Sequence, residues 1–291
     1  MRLVTFTHGN ERRTGVVVAD EVVDLTDPSV GLPADLASLL AAGPGAMEAA
    51  RNAPGGPARR FALEAVELEA PVPRPPSFLA IARNYRAHAA ELGSEPPAEQ
   101  QWFSKQPTCV IGTGAPIWVP RVSDQVDYEG ELAMVIGTRC RHVPVERALE
   151  VVAGFTVVND VSVRDWQWRS PTMMLGKGFD THGPMGPWVV TGDELGDPQD
   201  LTLTTRVNGE VRQHASTADM VHGCTAMIAH LSEAFTLVPG MVLSTGTPAG
   251  VAMGEAQPRW LRAGDRVEVE IEGIGVLENP VVGEPPGAMA P

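Results

Sequence analysis

Val126-Asp127-Tyr128-Glu129-Gly130-Glu131-Leu132-Ala133-Met134-Val135-Ile136 alternates at period two and then runs apolar. In an extended strand, residues two apart point the same way, so Asp127, Glu129 and Glu131 are expected on one face. The apolar continuation requires burial at that end of the strand. Buried like charges repel unless a cation sits among them, and oxygen ligands without nearby histidine or cysteine favour Mg²⁺, Mn²⁺ or Ca²⁺ over zinc. A solvated acidic edge is the plainer reading of the same pattern. A third ligand is offered by Val157-Val158-Asn159-Asp160-Val161-Ser162, where an apolar strand runs into Asp160 and a helix begins. Arg164, Asp165 and Gln167 follow on its first turns, with Arg164 and Asp165 readable as a solvated pair.

Further strands are expected at Leu3 to Phe6, Val16 to Val18, Val22 to Leu25 and Arg266 to Ile271, and from Leu201 through the hairpin signal Asn208-Gly209 to Val211. Helical patterns cover Asp35 to Ala50, Val145 to Val152, Ser162 to Trp168 and Thr225 to Phe235. The mix reads as an α+β protein rich in antiparallel sheet. Pro71-Val72-Pro73-Arg74-Pro75-Pro76 is stiff and marks a boundary. It divides a small N-terminal α+β unit, residues 1–70, from a main domain at 78–283, with 71–77 as linker and 284–291 as a tail. No phosphate-binding glycine loop occurs.

Net charge is -14, with 22 basic against 36 acidic residues. An acidic field of that size repels phosphate backbones and anionic headgroups, which argues against nucleic-acid and membrane partners. Met1 to Phe6 alternates polar and apolar before His8-Gly9-Asn10-Glu11-Arg12-Arg13, and reads as neither signal peptide nor anchor. Cys109, Cys140 and Cys224 are odd in number and lack CxxC spacing, which points to a reducing cytoplasm.

All but two of the basic side chains are arginine, and the exceptions are Lys105 and Lys177. A lysine ammonium can be desolvated and can donate a proton, which the arginine fork does not readily do. Lys177 lies between Gly176 and Gly178, which would let backbone approach a ligand closely. His88 and Glu91 stand three apart on a helical stretch, close enough for the carboxylate to orient the imidazole. Ser244-Thr245-Gly246-Thr247-Pro248-Ala249-Gly250 follows an apolar strand and offers backbone N–H groups and hydroxyls to an oxyanion.

Taken in order, these segments resemble the fumarylacetoacetate hydrolase family over about residues 78 to 282. The resemblance rests on Asn84-Tyr85 with His88 and Glu91, Phe103-Ser104-Lys105, Tyr128-Glu129-Gly130-Glu131-Leu132, Asn159-Asp160 with Arg164 and Gln167, Gly176-Lys177-Gly178-Phe179-Asp180-Thr181, and Thr245-Gly246-Thr247-Pro248. It implies a mixed β-roll or β-sandwich with peripheral helices, a homodimer, and Mg²⁺ or Mn²⁺ on Glu129, Glu131 and Asp160. Asp127 then falls to a supporting or surface role. The same resemblance makes His88 and Glu91 a water-activating pair on a lid, and arranges Lys105, Lys177, Arg164, Gln167 and Thr247 about the substrate with Tyr85 nearby. Arg83 stands where family members commonly have an apolar residue, and its charge would suit a second substrate carboxylate. His182 is expected at the surface.

The implied substrates are small 2-oxo or 2,4-dioxo acids. Such an acid chelates a divalent ion through its carboxylate and 2-oxo oxygens, which favours enolate formation at C2-C3. Hydrolysis of C3-C4 in a 2,4-dioxo acid then needs a water activated by His88 and Glu91, with Lys177 or Lys105 protonating the leaving enolate. Decarboxylation or keto-enol isomerisation uses the same ion without water attack. A silent binding protein of the same fold would lack a working metal site.

Overall fold

The computed structural model describes residues 1–287; the end of the expected tail, 288–291, lies outside the described residues. A mixed sheet of 12 strands dominates. Its centre is the strand Gly130–Ile136, flanked by the antiparallel strands Val152–Asn159 and Val242–Ser244. This strand is buried along its whole length because both of its faces are covered. Leu132, Met134 and Ile136 enter one core with Leu203, Val267, Val269 and Ile271 of a second, five-stranded sheet and with Met227, Ile228 and Leu231 of the helix Cys224–Ala234. Ala133 and Val135 enter another core with Leu36, Leu39 and Leu40. Burial on both sides explains the unbroken apolar run from Leu132.

The first 70 residues join this architecture through hydrogen bonds and packing. Leu3 pairs with Val189 and Arg2 with Val190, so the N-terminal strands extend the large sheet. The helical stretch expected from Asp35 to Ala50 forms two helices, Leu36–Ala41 and Pro44–Asn52. Gly43, at φ 86°, and Pro44 break it, since neither continues a helix from the preceding turn. Asp35 caps the first, accepting the Ser38 N–H at 3.0 Å. Val72 of the proline-rich stretch is buried. After the last strand, Gly275–Gly283, the Glu284 N–H donates to the Val119 carbonyl.

Other expected elements form with narrower bounds. Thr202–Val207 and Glu210–Ser216 make the hairpin, with Asn208 and Gly209 both at positive φ as a two-residue turn requires. Val145–Val151 is a 3-10 helix, and the helix expected at Ser162 to Trp168 shrinks to Arg164–Gln167 behind the short strand Ser162–Val163. The acidic strand is interrupted. Val126–Asp127 pairs with Ser162–Val163, and pairing resumes at Gly130. No helix among the described residues is long and apolar enough to cross a membrane.

Candidate active site

The interruption at Tyr128 and Glu129 places the carboxylates. The Glu129 N–H donates to Asn159 Oδ1 at 3.0 Å, and the Asp160 N–H donates to the Glu129 carbonyl at 2.8 Å. Two strand ends are thereby stitched together, and Glu129, Glu131 and Asp160 each bring an oxygen within 4.8 Å of the others, all three buried. Asp127 is turned elsewhere. Its carboxylate accepts from Arg164 Nε at 2.8 Å and from the Ala252 and Met253 N–H groups at 2.8 and 3.0 Å. Asp127 is fully buried and lies outside the three-carboxylate group, joined to Glu129 through Arg164, which is a supporting place and not a surface one.

Both lysines serve this cluster. Lys177 Nζ donates to Glu129 Oε2 at 2.5 Å and to Asp160 Oδ2 at 2.8 Å. Lys105 Nζ donates to Asp160 Oδ1 at 2.5 Å and to the Lys177 carbonyl. Arg164 Nη2 lies 2.7 Å from both Asp127 Oδ2 and Glu129 Oε1. Burial opposes ionisation of Glu129, but Lys177 and Arg164 outweigh it and hold this carboxyl well below the usual range. Burial likewise opposes charge on Lys177, and Asp160 and Glu129 outweigh it, so its pKa rises.

Glu131 is the exception. Its donors are the Ser244 hydroxyl at 2.5 Å and the Gly246 N–H at 3.0 Å, and it forms no ion pair among the described residues. Burial first, then the charges of Asp160 and Glu129, push its pKa well up. A carboxylate so placed wants a cation, and three oxygen donors without histidine or cysteine suit a hard divalent ion. The residues present therefore fit Mg²⁺ or Mn²⁺.

Glu129 and Glu131 of the cluster line a cavity of about 770 Å³, with Asp160 buried behind them. Arg83, His88, Glu91, Glu129, Glu131, Arg164, Gln167, Lys177 and Thr247 all line it. His88 and Glu91 come from the helix Arg86–Glu91, with His88 Nδ1 3.2 Å from Glu91 Oε2. Asn84 secures the approach to that helix, donating to the His222 and Thr245 carbonyls. Arg83, at φ 53°, donates to Gln101 Oε1.

Several expectations are corrected. Lys105 and Tyr85 do not reach the cavity: Lys105 is fully buried behind Asp160, and Tyr85 is buried in the core with a bridge to Met220. Arg164 pairs with Asp127 and Glu129, leaving Asp165 to Ser123. Gly176 and Gly178 admit protein, since a methyl group on either would meet Gln167 or Gln106. The loop after Val242–Ser244 has its donors engaged: Ser244 and Gly246 on Glu131, Thr247 Oγ1 on the Gly130 carbonyl. It orients a carboxylate instead of offering an open oxyanion hole. His182 is fully buried, with Nε2 2.7 Å from the Trp118 carbonyl. Gln213 went unnoticed in the sequence, although it accepts from the Gly130 N–H and donates to Thr247 Oγ1 and the Pro248 carbonyl. It lies on a strand of the other sheet, where no local pattern distinguishes it.

Fold and site together define an α+β protein with a buried three-carboxylate centre at the ends of its central strands. The chain belongs to the fumarylacetoacetate hydrolase family: the model of the fumarylacetoacetate (FAA) hydrolase C-terminal region matches residues 77–282. Oxaloacetate tautomerase fahd2, mitochondrial, of Xenopus laevis is 38% identical over 97% of this chain and 90% of its own length. The fumarylacetoacetate hydrolase of Exiguobacterium antarcticum is similar in structure, with a TM-score of 0.86 and 36% identity over 98% of this chain and 100% of that one. Maleylpyruvate hydrolase of Sphingobium sp. SYK-6, solved with manganese(II) and pyruvate, gives a TM-score of 0.80 at 34% identity, with the same coverage.

Proposed function

We propose that this chain is a divalent-metal-dependent hydrolase that cleaves C3-C4 of a small 2,4-dioxo acid. One observation carries the reading: the His88–Glu91 pair lines the same cavity as Glu129 and Glu131, whose oxygens lie within 4.8 Å of the buried Asp160 carboxylate. Glu129, Glu131 and Asp160 would hold the ion, which supplies charge stabilisation for an enolising 2-oxo acid. Glu91 holds His88 through Nδ1, leaving Nε2 to take a proton from water. The resulting hydroxide adds to the C4 carbonyl. Arg164 Nη1 donates to Gln167 Oε1 at 2.9 Å and the Gln167 amide nitrogen donates one N–H to Met173 Sδ, which leaves its second N–H as a donor to the C4 oxyanion. Collapse breaks C3-C4, the bonding pair stays with the pyruvate enolate, Lys177 gives a proton to C3, and the proton that His88 took from water makes good the one Lys177 has lost.

A second reading is keto-enol tautomerisation of a 2-oxo acid, favoured by the tautomerase named among the relatives at 38% identity. Here no water attacks, so the reaction would not need His88 as a water activator. We also propose a cytoplasmic homodimer, a setting consistent with three free cysteines. The deciding experiment incubates EDTA-stripped protein with acetylpyruvate, maleylpyruvate and oxaloacetate in H₂¹⁸O, with and without Mn²⁺. Metal-dependent pyruvate together with an ¹⁸O-labelled carboxylic acid supports the hydrolase. Faster ketonisation without cleavage moves the assignment to the tautomerase, and absence of any metal effect overturns both.

A further inference from the structure

The carboxylate of Glu91 occupies the space where residue 254 would carry a side chain. A methyl group built on Gly254 falls onto Glu91 Cγ, Cδ and Oε1. Gly254 does not have the positive φ that favours glycine, so its backbone would accept alanine. Gly250, four residues earlier, is different. It has φ 104°, and a methyl there would strike the Arg212 carbonyl, so conformation and backbone packing both require glycine. At Gly254 the group in the way is the far end of a flexible side chain.

The segment carrying Gly254 is pinned on its other side. Asp127, fully buried, accepts the Ala252 and Met253 N–H groups, and Tyr128 Oη donates to the Gly250 carbonyl at 3.0 Å. The Gly250 N–H in turn donates to Glu91 Oε1 at 2.9 Å, while Glu91 Oε2 faces His88 Nδ1. The Glu91 carboxylate is therefore held by a backbone donor on one oxygen and the imidazole on the other, and it lies against the bare Cα of Gly254. With its backbone pinned, the segment has little room to retreat from an added methyl, and Glu91 is the group that moves.

We propose that Gly254 is a positioning residue for the His88–Glu91 pair, its missing side chain being the seat of the Glu91 carboxylate. The inference deepens the functional reading above and rests on it for its catalytic consequence. Alanine at 254 leaves the fold and the carboxylate cluster in place, displaces Glu91 and uncouples His88 Nδ1.

The test compares wild type, Gly254→Ala, Glu91→Ala and the double variant of the full chain. In metal-free protein labelled with ¹⁵N-histidine, the His88 signals are assigned by their loss in His88→Gln. Gly254→Ala is expected to shift the His88 Nδ1 resonance as Glu91→Ala does, with melting temperature and Mn²⁺ affinity at wild-type values. On a turned-over substrate, kcat is expected to fall about 100-fold, KM to stay within about twofold, and the double variant to be no slower than Glu91→Ala. A wild-type His88 spectrum in Gly254→Ala overturns the inference. So do losses that multiply in the double variant, or a raised KM with unchanged kcat, which would mark a methyl that merely obstructs the cavity. If Gly254→Ala moves the His88 resonance while Glu91→Ala turns over normally, the positioning inference stands and the catalytic reading of the pair falls.

Discussion

Arg164 Nε donates to Asp127 Oδ2 at 2.8 Å, with Arg164 3% exposed and Asp127 fully buried. Such a pair is costly to break from one side because the partner is left as a buried, unmatched charge. Asp127 also takes two backbone N–H groups, so Asp127→Ala leaves both of these and Arg164 Nε without their acceptor, Arg164 keeping Glu129 and Gln167 on its other nitrogens. The expected loss is about 3–5 kcal/mol of unfolding free energy, read from urea denaturation. Asp127→Asn keeps the shape but turns an amide NH₂ toward donors, and it should also destabilise. A loss below about 1 kcal/mol for the alanine variant would mean that Glu129 alone satisfies Arg164.

Glu131 makes the metal site testable without a substrate. Its folded pKa is raised, so the stability it contributes is present below the unfolded carboxyl value and is lost as pH rises through the folded value. The metal-free protein is thereby destabilised at neutral pH, and a bound cation removes that strain. Glu131→Gln, whose amide oxygen accepts the same Ser244 and Gly246 donors, should melt no lower than wild type without metal. Wild type should gain about 2.7 kcal/mol at Mn²⁺ one hundredfold above its Kd, and the variant little. Scanning fluorimetry with and without Mn²⁺ reads both. An equal shift in the two proteins would remove Glu131 from the ligand set.

What the sequence disclosed was local. The apolar run at Leu132 to Ile136 and the Asn208-Gly209 turn are legible because each is written in consecutive residues, whereas grouping Asp160 with Glu129 and Glu131 rests on the family resemblance. Long-range partners decided the rest. Alternation groups Asp127 with Glu129 and Glu131, whereas Asn159 and Asp160, some 30 residues on, hold the Glu129 backbone where the strand breaks, and Asp127 is left across Arg164 from the cluster. The Ser244 to Gly250 loop looked like an oxyanion cradle because its donors were visible and Glu131, their acceptor, was not. Scarcity marks Lys105 and the family resemblance puts it about the substrate, yet neither distinguishes a group facing the cavity from one buried behind Asp160.

His88 separates the two chemistries. Removing a positioned general base typically costs about 10²–10⁴ in rate. His88→Ala should therefore lower C3-C4 hydrolysis by that factor while Mn²⁺ binding, measured by calorimetry, is kept. Glu91→Gln retains the length and one acceptor and should lose less. Enolisation of oxaloacetate, followed at the enol absorbance, is expected to survive partly in His88→Ala. Full hydrolysis by the alanine variant would discard the pair as water activator.

His182 governs acid stability from outside the cavity. It is fully buried, Nε2–H donates to the Trp118 carbonyl, Nδ1 has no partner among the described residues, and the Phe179 ring stacks at 5.5 Å between centroids. Burial is the main cause that drives its pKa down to about 3 from the ordinary 6.5. Between those values the unfolded chain takes up a proton that the folded chain refuses, so stability falls as pH drops from 6.5 toward 3. Above 6.5 the residue contributes no slope. At pH 5 the loss attributable to this side chain is about 2 kcal/mol. His182→Gln keeps a donor for the Trp118 carbonyl and has nothing to titrate. Urea denaturation at pH 7, 6 and 5 should show wild type losing about 2 kcal/mol more than the variant over that range. Parallel losses would show that the folded protein protonates His182 after all, and that water reaches Nδ1.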